Sequence, residues 1–267
     1  MPTRAKSSPV IAAFRDAVAR SGFEYPASII LVFEGGSVMH GASVGSDDHD
    51  YYGVYVEPPA VRLGLSPKPH HVWSTSDSTR RNTAADVDLM LYSLTKFAKL
   101  AANGNPTILH FLWVENALGA NRWWEQVLAA RGHFLARSHL DRFIGYAEAQ
   151  LDRLMGRRVR KQHRPELIEQ HGFDTKAAMH LMRLMYEGFY LMRDGWMSFP
   201  NPKADYLIAV RNGRYPLQQI LADFEGLKAQ CLREQQRSPL PEAVNLGEIN
   251  KLLAQVYQGV WNGTQGI

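Results

Sequence analysis

A short apolar run that ends in a turn of small residues constrains the fold more than any other stretch of this chain. Residues 28–33 read Ser-Ile-Ile-Leu-Val-Phe, a pattern typical of a buried strand, and a Gly-Gly-Ser turn follows at residues 35–37. Three aspartates then lie within positions 47–50. Asp48 and Asp50 are two residues apart, so in an extended segment both carboxylates point to one face of a sheet. Because like charges on one face repel, this pair favours a cation between the carboxylates.

The turn itself has two interpretations. Gly41, Ala42 and Gly45 are small enough to let the backbone approach a bound group. A short helix starting near Ser37 would direct its first N–H groups towards a phosphate. A Gly-Gly-Ser sequence is also common in ordinary loops, so the turn alone leaves open whether it binds phosphate.

Two further strands are expected after the aspartates. Residues 51–57 alternate and end at a Pro-Pro pair, and residues 86–92 read Asp-Val-Asp-Leu-Met-Leu-Tyr, with Asp86 and Asp88 on one face. A short edge strand is expected over residues 71–74. Acids at the start of an apolar strand either lie at its exposed end or supply a third carboxylate beside the first two. Either Asp86 or Asp88 is then the third acid.

Three aspartates on adjacent strands suit magnesium. Mg²⁺ prefers oxygen ligands and is typically held by a few carboxylates together with substrate phosphates. In a two-metal phosphoryl or nucleotidyl transfer, one ion activates the attacking hydroxyl and the other neutralises charge on the leaving group. This chemistry needs no covalent protein nucleophile. The sequence contains neither a Walker A lysine motif nor a His-Glu-x-x-His motif, which agrees with this chemistry.

Composition limits the class of protein without deciding its partner. The 267 residues are 45% hydrophobic, which suits one large domain or two small ones. A net charge of +4 permits an anionic partner such as a nucleotide or RNA, but a solvated surface explains it equally well. The single cysteine, Cys231, excludes an internal disulfide and a cysteine-based zinc site, and it predicts a reducing, cytoplasmic compartment. The apolar run at residues 29–33 is too short to span a membrane, and no export signal is expected.

The spacing of the turn and the acids resembles the signature of nucleotidyltransferases of the DNA polymerase β superfamily. Gly36-Ser37 is followed by ten intervening residues, by Asp48-His49-Asp50 and by an acidic strand. The resemblance extends through most of the chain to predicted nucleotidyltransferases that include RNA-ligase-associated phage proteins. The further similar residues are Gly41, Gly53-Val54, Asp88, Tyr92-Ser93-Leu94, Lys96-Phe97, Asn105-Pro106, Phe143 to Ala147, Asp174-Thr175-Lys176, His180, Arg183 and Ile208 to Gly213.

The resemblance implies an α+β fold with two parts. A DNA polymerase β-like nucleotidyltransferase core, a small mixed sheet with helices, is expected over residues 1–125. A helical C-terminal domain that contributes to nucleotide binding is expected over residues 126–267, since strand patterns disappear from His139 onward.

The resemblance also implies a reaction and its residues. Asp48, Asp50 and Asp88 would be the catalytic carboxylates and would bind two Mg²⁺ or Mn²⁺ ions, while Gly36 and Ser37 would hold the phosphates of a nucleoside triphosphate. The expected reaction is metal-dependent transfer of a nucleoside monophosphate to an acceptor hydroxyl on an RNA end, a protein or a small molecule, with release of pyrophosphate. The alternative is a noncatalytic RNA-binding or scaffolding protein that retains the fold.

A helix predicted over residues 175–193, with Asp174 placed to cap it, carries a polar stripe on an otherwise apolar surface. The stripe is spaced i, i+4, i+7 and i+11 and consists of Lys176, His180, Arg183 and Glu187. It is either a simple exposed face or the countercharge for a triphosphate. We favour the second interpretation, in which Lys176 and Arg183 contact phosphates and His180 orients a phosphate or moves a proton.

Two histidines depart from the pattern of the superfamily, and one segment is strongly basic. His49 stands where an apolar residue is usual and is expected to point away from the metals. His110 stands where relatives commonly have glutamate, and it is expected in a helix over residues 107–114 as a buried, hydrogen-bonded histidine. Residues 153–164 are either a solvated turn or a site for RNA or another polyanion.

Overall fold

A single mixed sheet organises the described part of the protein. The computed structural model describes residues 9–41, 49–76, 83, 86–157 and 164–263. Within these ranges, the strands are β1 (Ile29–Glu34), β2 (His49–Tyr55), β3 (His70–Ser74), β4 (Val87–Ser93) and β5 (Gly119–Ala120). They form a five-stranded sheet in the order β3-β4-β2-β1-β5. All secondary-structure elements described after β5 are helices. The predicted α+β fold class, a small mixed sheet followed by helices, is therefore confirmed.

Strand direction alternates except at the centre of the sheet. β1 pairs antiparallel with β2 and with β5, and β3 pairs antiparallel with β4. β2 and β4 are parallel, which requires a long connection between them. This parallel pair carries the acids that the sequence singled out.

Helices cover both faces of the sheet and form the rest of the described chain. Their bounds are α1 (Pro9–Arg20), α2 (Gly36–Met39), α3 (Pro59–Arg62), α4 (Leu94–Ala102), α5 (Pro106–Leu109), α6 (Arg122–Ala129), α7 (Leu140–Leu154), α8 (Pro165–His171), α9 (Thr175–Asp194), α10 (Ala204–Arg211), α11 (Leu217–Arg237) and α12 (Leu246–Gly263). Among the helices of these ranges, none combines the length and the apolar character that a membrane crossing demands.

The predicted strands and long helices agree with the structure to within a few residues, and the differences are informative. β2 begins at His49, two residues earlier than predicted, because its pairing with β4 extends the strand and places Asp50 within it. The predicted helix over residues 107–114 is instead the short α5 followed by a 3₁₀ turn over His110–Trp113. β5, α3 and α8 were not predicted, since each is too short to show a clear period.

Two hydrophobic cores lie on opposite faces of the sheet. α1 covers one face, where Phe14 packs edge-on against Tyr51. The other face belongs to a larger core that includes Phe97 of α4 and Met185 of α9. Burying each such large apolar side chain contributes about 1.5–3 kcal/mol. This core joins residues from both sides of position 125, so the division into two domains stays a prediction.

α9 lies at the centre of the helical part. It packs against α7, α10 and α11, which explains why most of its surface is apolar. Asp174 caps its start, as predicted, by accepting hydrogen bonds from the N–H groups of Lys176 and Ala177, each at 3.0 Å. The helix ends at Gly195, where a φ of +65° suits glycine. The caps fix where the polar stripe of α9 begins and which way it faces.

Candidate active site

The turn after β1 lies directly against one of the predicted carboxylates. The N–H of Gly35 donates to the backbone oxygen of Asp50 at 2.8 Å. Gly36, at the start of α2, has a φ of +63°, a conformation that favours glycine. A Cβ built on Gly36 would lie 2.1 Å from Oδ2 of Asp50. The lack of a side chain at position 36 is therefore what allows the Asp50 carboxylate its place.

The register of the sheet brings a second acid beside Asp50. In the parallel pair of β2 and β4, Asp50 is aligned with Asp88. Aligned residues on neighbouring strands point to the same face, and the strands lie about 4.8 Å apart. The Ser74 hydroxyl on β3 donates to Oδ1 of Asp88. The structure thus brings together two of the three predicted metal ligands, and Asp48 lies outside the described residues.

Asp86 has a different environment. Its side chain is buried and accepts hydrogen bonds from the N–H of Thr83 at 2.7 Å, from the Thr83 hydroxyl at 3.0 Å and from the Thr75 hydroxyl at 3.3 Å. Its backbone oxygen accepts from the N–H of His49. These bonds hold the segment that leads into β4. The geometry therefore favours Asp88 as the third acid, an assignment that stays a prediction.

The donor atoms at Asp50 and Asp88 fit a hard cation. Both residues offer carboxylate oxygens from aligned positions of adjacent strands, and oxygen is the ligand atom that Mg²⁺ and Mn²⁺ prefer. A cation between them would also relieve their mutual repulsion.

Asp50 opens onto a pocket of about 400 Å³ whose opposite side is cationic. Gly36, Asp50 and Tyr52 line the side that belongs to the sheet. The other side is lined by a cationic wall, which we define as Lys176, Arg183 and Arg211. His180 and the α7 residues Tyr146 and Gln150 also line the pocket. Lys176, His180 and Arg183 of the predicted stripe therefore share this pocket with Asp50, and binding of phosphate by them stays a prediction.

Burial and charge set the protonation of two groups in the pocket. Burial, together with Arg183, Lys176 and other nearby cations, holds the pKa of His180 well below its ordinary value of 6.5. His180 is therefore neutral at pH 7 and has both a donor and an acceptor nitrogen. Burial, with the negative charge of Asp50, raises the pKa of Tyr52, so its hydroxyl stays protonated. Lys176 and Arg183 thus share the pocket with Asp50 without a further charge from His180.

A match to a known protein family shows to which family the chain belongs. The sequence pattern of the RNA repair pathway DNA polymerase beta family matches residues 10–255. The chain belongs to this family. The match confirms the resemblance to polymerase β-type nucleotidyltransferases that the turn and the acids predicted.

Individual proteins that are similar to this polymerase beta family member have low sequence identity to it. An uncharacterized 38.9 kDa protein of Enterobacteria phage T4, encoded in the nrdC-mobD intergenic region, is 29% identical over 119 residues. The alignment covers 43% of this chain and 35% of the phage protein, so the chain spans about a third of that relative. A solved nucleotidyltransferase-like protein from Exiguobacterium sibiricum is 10% identical, with a TM-score of 0.32 over 95% of this chain and 78% of the other.

The two unusual histidines of this family member have different surroundings. His49 is on the opposite face of β2 from Asp50, where its Nδ1 lies 2.6 Å from Oε1 of Glu34 and its ring stacks on Tyr51. His110 is buried, and its Nε2 lies 3.1 Å from Oε2 of Glu187. Both imidazoles therefore have local partners, and His110 also lines the pocket that Asp50 lines.

His110 belongs to a buried cluster, which we define as His40, His110, Arg183 and Glu187. Nitrogen and carboxylate atoms of its histidines and its glutamate lie within 4.8 Å of one another, a spacing that would suit a metal. However, Nη1 of Arg183 donates to Nε2 of His40 and, at 3.2 Å, to Oε1 of Glu187. Because Nε2 of His40 accepts this hydrogen bond, the imidazole proton lies on Nδ1, which is 3.4 Å from Oε1 of Glu187.

This arrangement disfavours a metal in the buried cluster as long as Arg183 keeps these contacts. Binding of a metal at Nδ1 of His40 would move the proton to Nε2, where it would meet the Arg183 donor. Burial, with Arg183, His110 and His180, holds the pKa of His40 well below 6.5, so the imidazole stays neutral and can accept from Arg183. The cluster fits an arginine rather than a metal ion.

Sequence reasoning missed several residues of the pocket. Tyr146 and Arg211 line it and lie in stretches that the family resemblance includes, which is the signal that could have found them, whereas His40 and Gln150 carry no local signal. The sequence did contain a signal for Glu187, because a buried acid on an apolar helix needs a hydrogen-bonding or oppositely charged partner. Of the predicted site, Asp48, the side chain of Ser37 and the basic residues 158–163 lie outside the described residues.

Proposed function

We propose that this polymerase beta family member transfers a nucleoside monophosphate from a nucleoside triphosphate to an acceptor hydroxyl, with release of pyrophosphate. One observation supports this proposal above all others: a pocket with Asp50 against a glycine turn on one side and the cationic wall on the other. Carboxylates suit the metal ions of such a reaction, and cations suit the triphosphate.

Asp50 and Asp88, with Asp48, would hold two Mg²⁺ or Mn²⁺ ions. When bound, such ions lower the pKa of an attacking hydroxyl and neutralise charge on departing pyrophosphate. The chain's own part is to hold the carboxylates still. The hydrogen bond from Gly35 fixes the backbone of Asp50, and the hydroxyl of Ser74 orients Asp88.

The other residues of the pocket would bind and orient the triphosphate. Gly36 and Ser37 would hold phosphates beside the acids, as the family resemblance implies. Lys176 offers a point charge, and Arg183 offers a planar group that matches two phosphate oxygens at once. His180, being neutral, would donate a hydrogen bond to a phosphate oxygen without adding charge.

We propose RNA as the acceptor, because the family to which the chain belongs is described as part of an RNA repair pathway. The net charge of +4 is compatible with an RNA partner. A protein or a small molecule with a free hydroxyl is the other acceptor class that the same chemistry serves.

The proposal is tested by label transfer. Each α-labelled nucleoside triphosphate is incubated with Mg²⁺ or Mn²⁺ and with RNA or total protein, using wild type, Asp50→Asn and Asp88→Asn. We expect label on RNA with wild type and its loss with both variants. Asp16→Asn, at an exposed acid that pairs with Arg20, is the matched control and should retain transfer.

The outcomes separate the alternatives. Wild-type transfer by Asp50→Asn would refute the site. Label on protein alone would refute RNA as the acceptor. Tight RNA binding with no label on any acceptor would instead support a noncatalytic RNA-binding protein that retains the fold.

A further inference from the structure

The buried cluster joins the two sides of the pocket. His40 follows α2 directly and so belongs to the turn that supports Asp50, whereas Arg183 and Glu187 belong to α9. His110 comes from the 3₁₀ turn after α5. Residues from three separate segments therefore converge on one guanidinium and one carboxylate, and Glu187 is only 2% exposed.

Glu187 is held as an anion at the centre of this cluster. Burial alone would raise its pKa, but Arg183 and His110 outweigh that effect, and the pKa of the carboxyl lies below its ordinary value. Its Oε1 accepts from Arg183 at 3.2 Å, and its Oε2 lies 3.1 Å from Nε2 of His110. Both oxygens are thus used, and the carboxylate has one orientation.

These contacts use the Nη1 corner of the Arg183 guanidinium, so the edge formed by Nε and Nη2 takes no part in them. Nη1 makes the bonds to His40 and to Glu187, which accounts for both of its hydrogens. Nε is buried and has no hydrogen-bond partner among the described residues, and Arg183 lines the pocket. A buried N–H without a partner costs free energy unless a ligand supplies an acceptor. The edge formed by Nε and Nη2 is the one that binds two oxygens of a phosphate side by side.

We propose that Glu187, with His40 and His110, is a positioning residue that orients Arg183 so that its Nε and Nη2 edge binds the triphosphate. The proposal rests on the proposed function and names how one residue of that site is aligned with the acids. Because His40 follows the turn that supports Asp50, the same contacts set the distance between the phosphate-binding edge and the carboxylates.

A double-mutant cycle tests this role. We expect Glu187→Gln, which keeps the shape but removes the charge, to lower kcat/KM about 10- to 100-fold, because a misplacement of about 1 Å has that effect on a reacting group. Arg183→Gln should lower kcat/KM at least as much. If Glu187 acts through Arg183, the double variant falls no further than Arg183→Gln, whereas an effect of Glu187 that is independent of Arg183 makes the two factors multiply and refutes the proposal.

Controls keep the result interpretable. Glu248→Gln makes the same chemical change at an exposed glutamate paired with Lys251 and should leave kcat/KM unchanged. If Glu187→Gln does not fold, His110→Gln removes one contact of the carboxylate instead. A smaller loss of kcat/KM in His110→Gln that is absent in the Arg183→Gln background supports the proposal. A loss of kcat/KM that persists in that background overturns it.

Failure of the proposed function is distinguishable from failure of this inference. If wild type transfers no nucleotide, the proposed function fails, and the same variants are compared for binding of inorganic tripolyphosphate. Weaker binding in Glu187→Gln and Arg183→Gln, with no further weakening in the double variant, supports the positioning role. Unchanged binding in Glu187→Gln overturns it.

Discussion

Replacement of Gly36 by alanine separates the chemistry of the site from the stability of the fold. The new Cβ would lie 2.1 Å from Oδ2 of Asp50, whereas ordinary contacts begin near 3.4 Å. The carboxylate or the turn must therefore move by about 1.3 Å, and a displacement of that size lowers a reaction rate about 100-fold. The φ of +63° adds strain of about 1–2 kcal/mol for a residue with a side chain. For a chain of this size, we expect Tm to fall by about 2–8 °C.

Gly22 offers a matched control for this experiment. Its φ is +68°, but nothing lies within 4 Å of a Cβ built there. Gly22→Ala should therefore lower Tm by a similar amount and keep the wild-type rate. The assay measures the initial rate of label transfer and the Tm of wild type and both variants. Equal loss of rate in the two variants, or a wild-type rate in Gly36→Ala, would show that the turn does not support Asp50 as described.

Three further predictions concern the fold. Stability should fall from pH 7.5 to pH 5.5, because burial keeps His40 and His180 neutral in the folded chain while the unfolded chain binds protons near 6.5. Each histidine that stays neutral contributes a loss of up to about 1.4 kcal/mol at pH 5.5, measured by urea unfolding, and a flat profile would contradict their burial. Asp174→Ala should cost about 1 kcal/mol through the lost cap of α9, whereas Asp174→Asn keeps an accepting oxygen and should cost less; equal losses would count against the cap. Phe97→Ala should cost about 3–5 kcal/mol, since the ring is fully buried between Phe111 and Trp124. Exposed Leu65→Ala is its control, and similar Tm values for the two variants would refute this view of the core.

Local patterns in the sequence were sufficient for most single elements. The apolar run before Gly35 predicts β1, and α9 was predicted to within one residue of its observed bounds, because periodicity and caps act within a few residues. The polar stripe of α9 is likewise a property of helix geometry, so residues spaced three and four apart necessarily share a face. The spacing of Gly36, Ser37 and the aspartates predicted the superfamily, and the similar residues further along the chain predicted the family.

Only the tertiary structure decided how the separate pieces meet. The alternation of residues allowed either Asp86 or Asp88 beside Asp50, and the register of β2 on β4 aligns Asp88 with it while hydrogen bonds engage Asp86 elsewhere. The contact between His40 and Glu187 joins residues far apart in the chain, which no local spacing predicts. Strand pairing and helix packing depend on the whole core, whereas a helix, a cap or a turn depends on its own few residues. For that reason the sequence determined the two halves of the site, and the fold alone determined the distance and orientation between them.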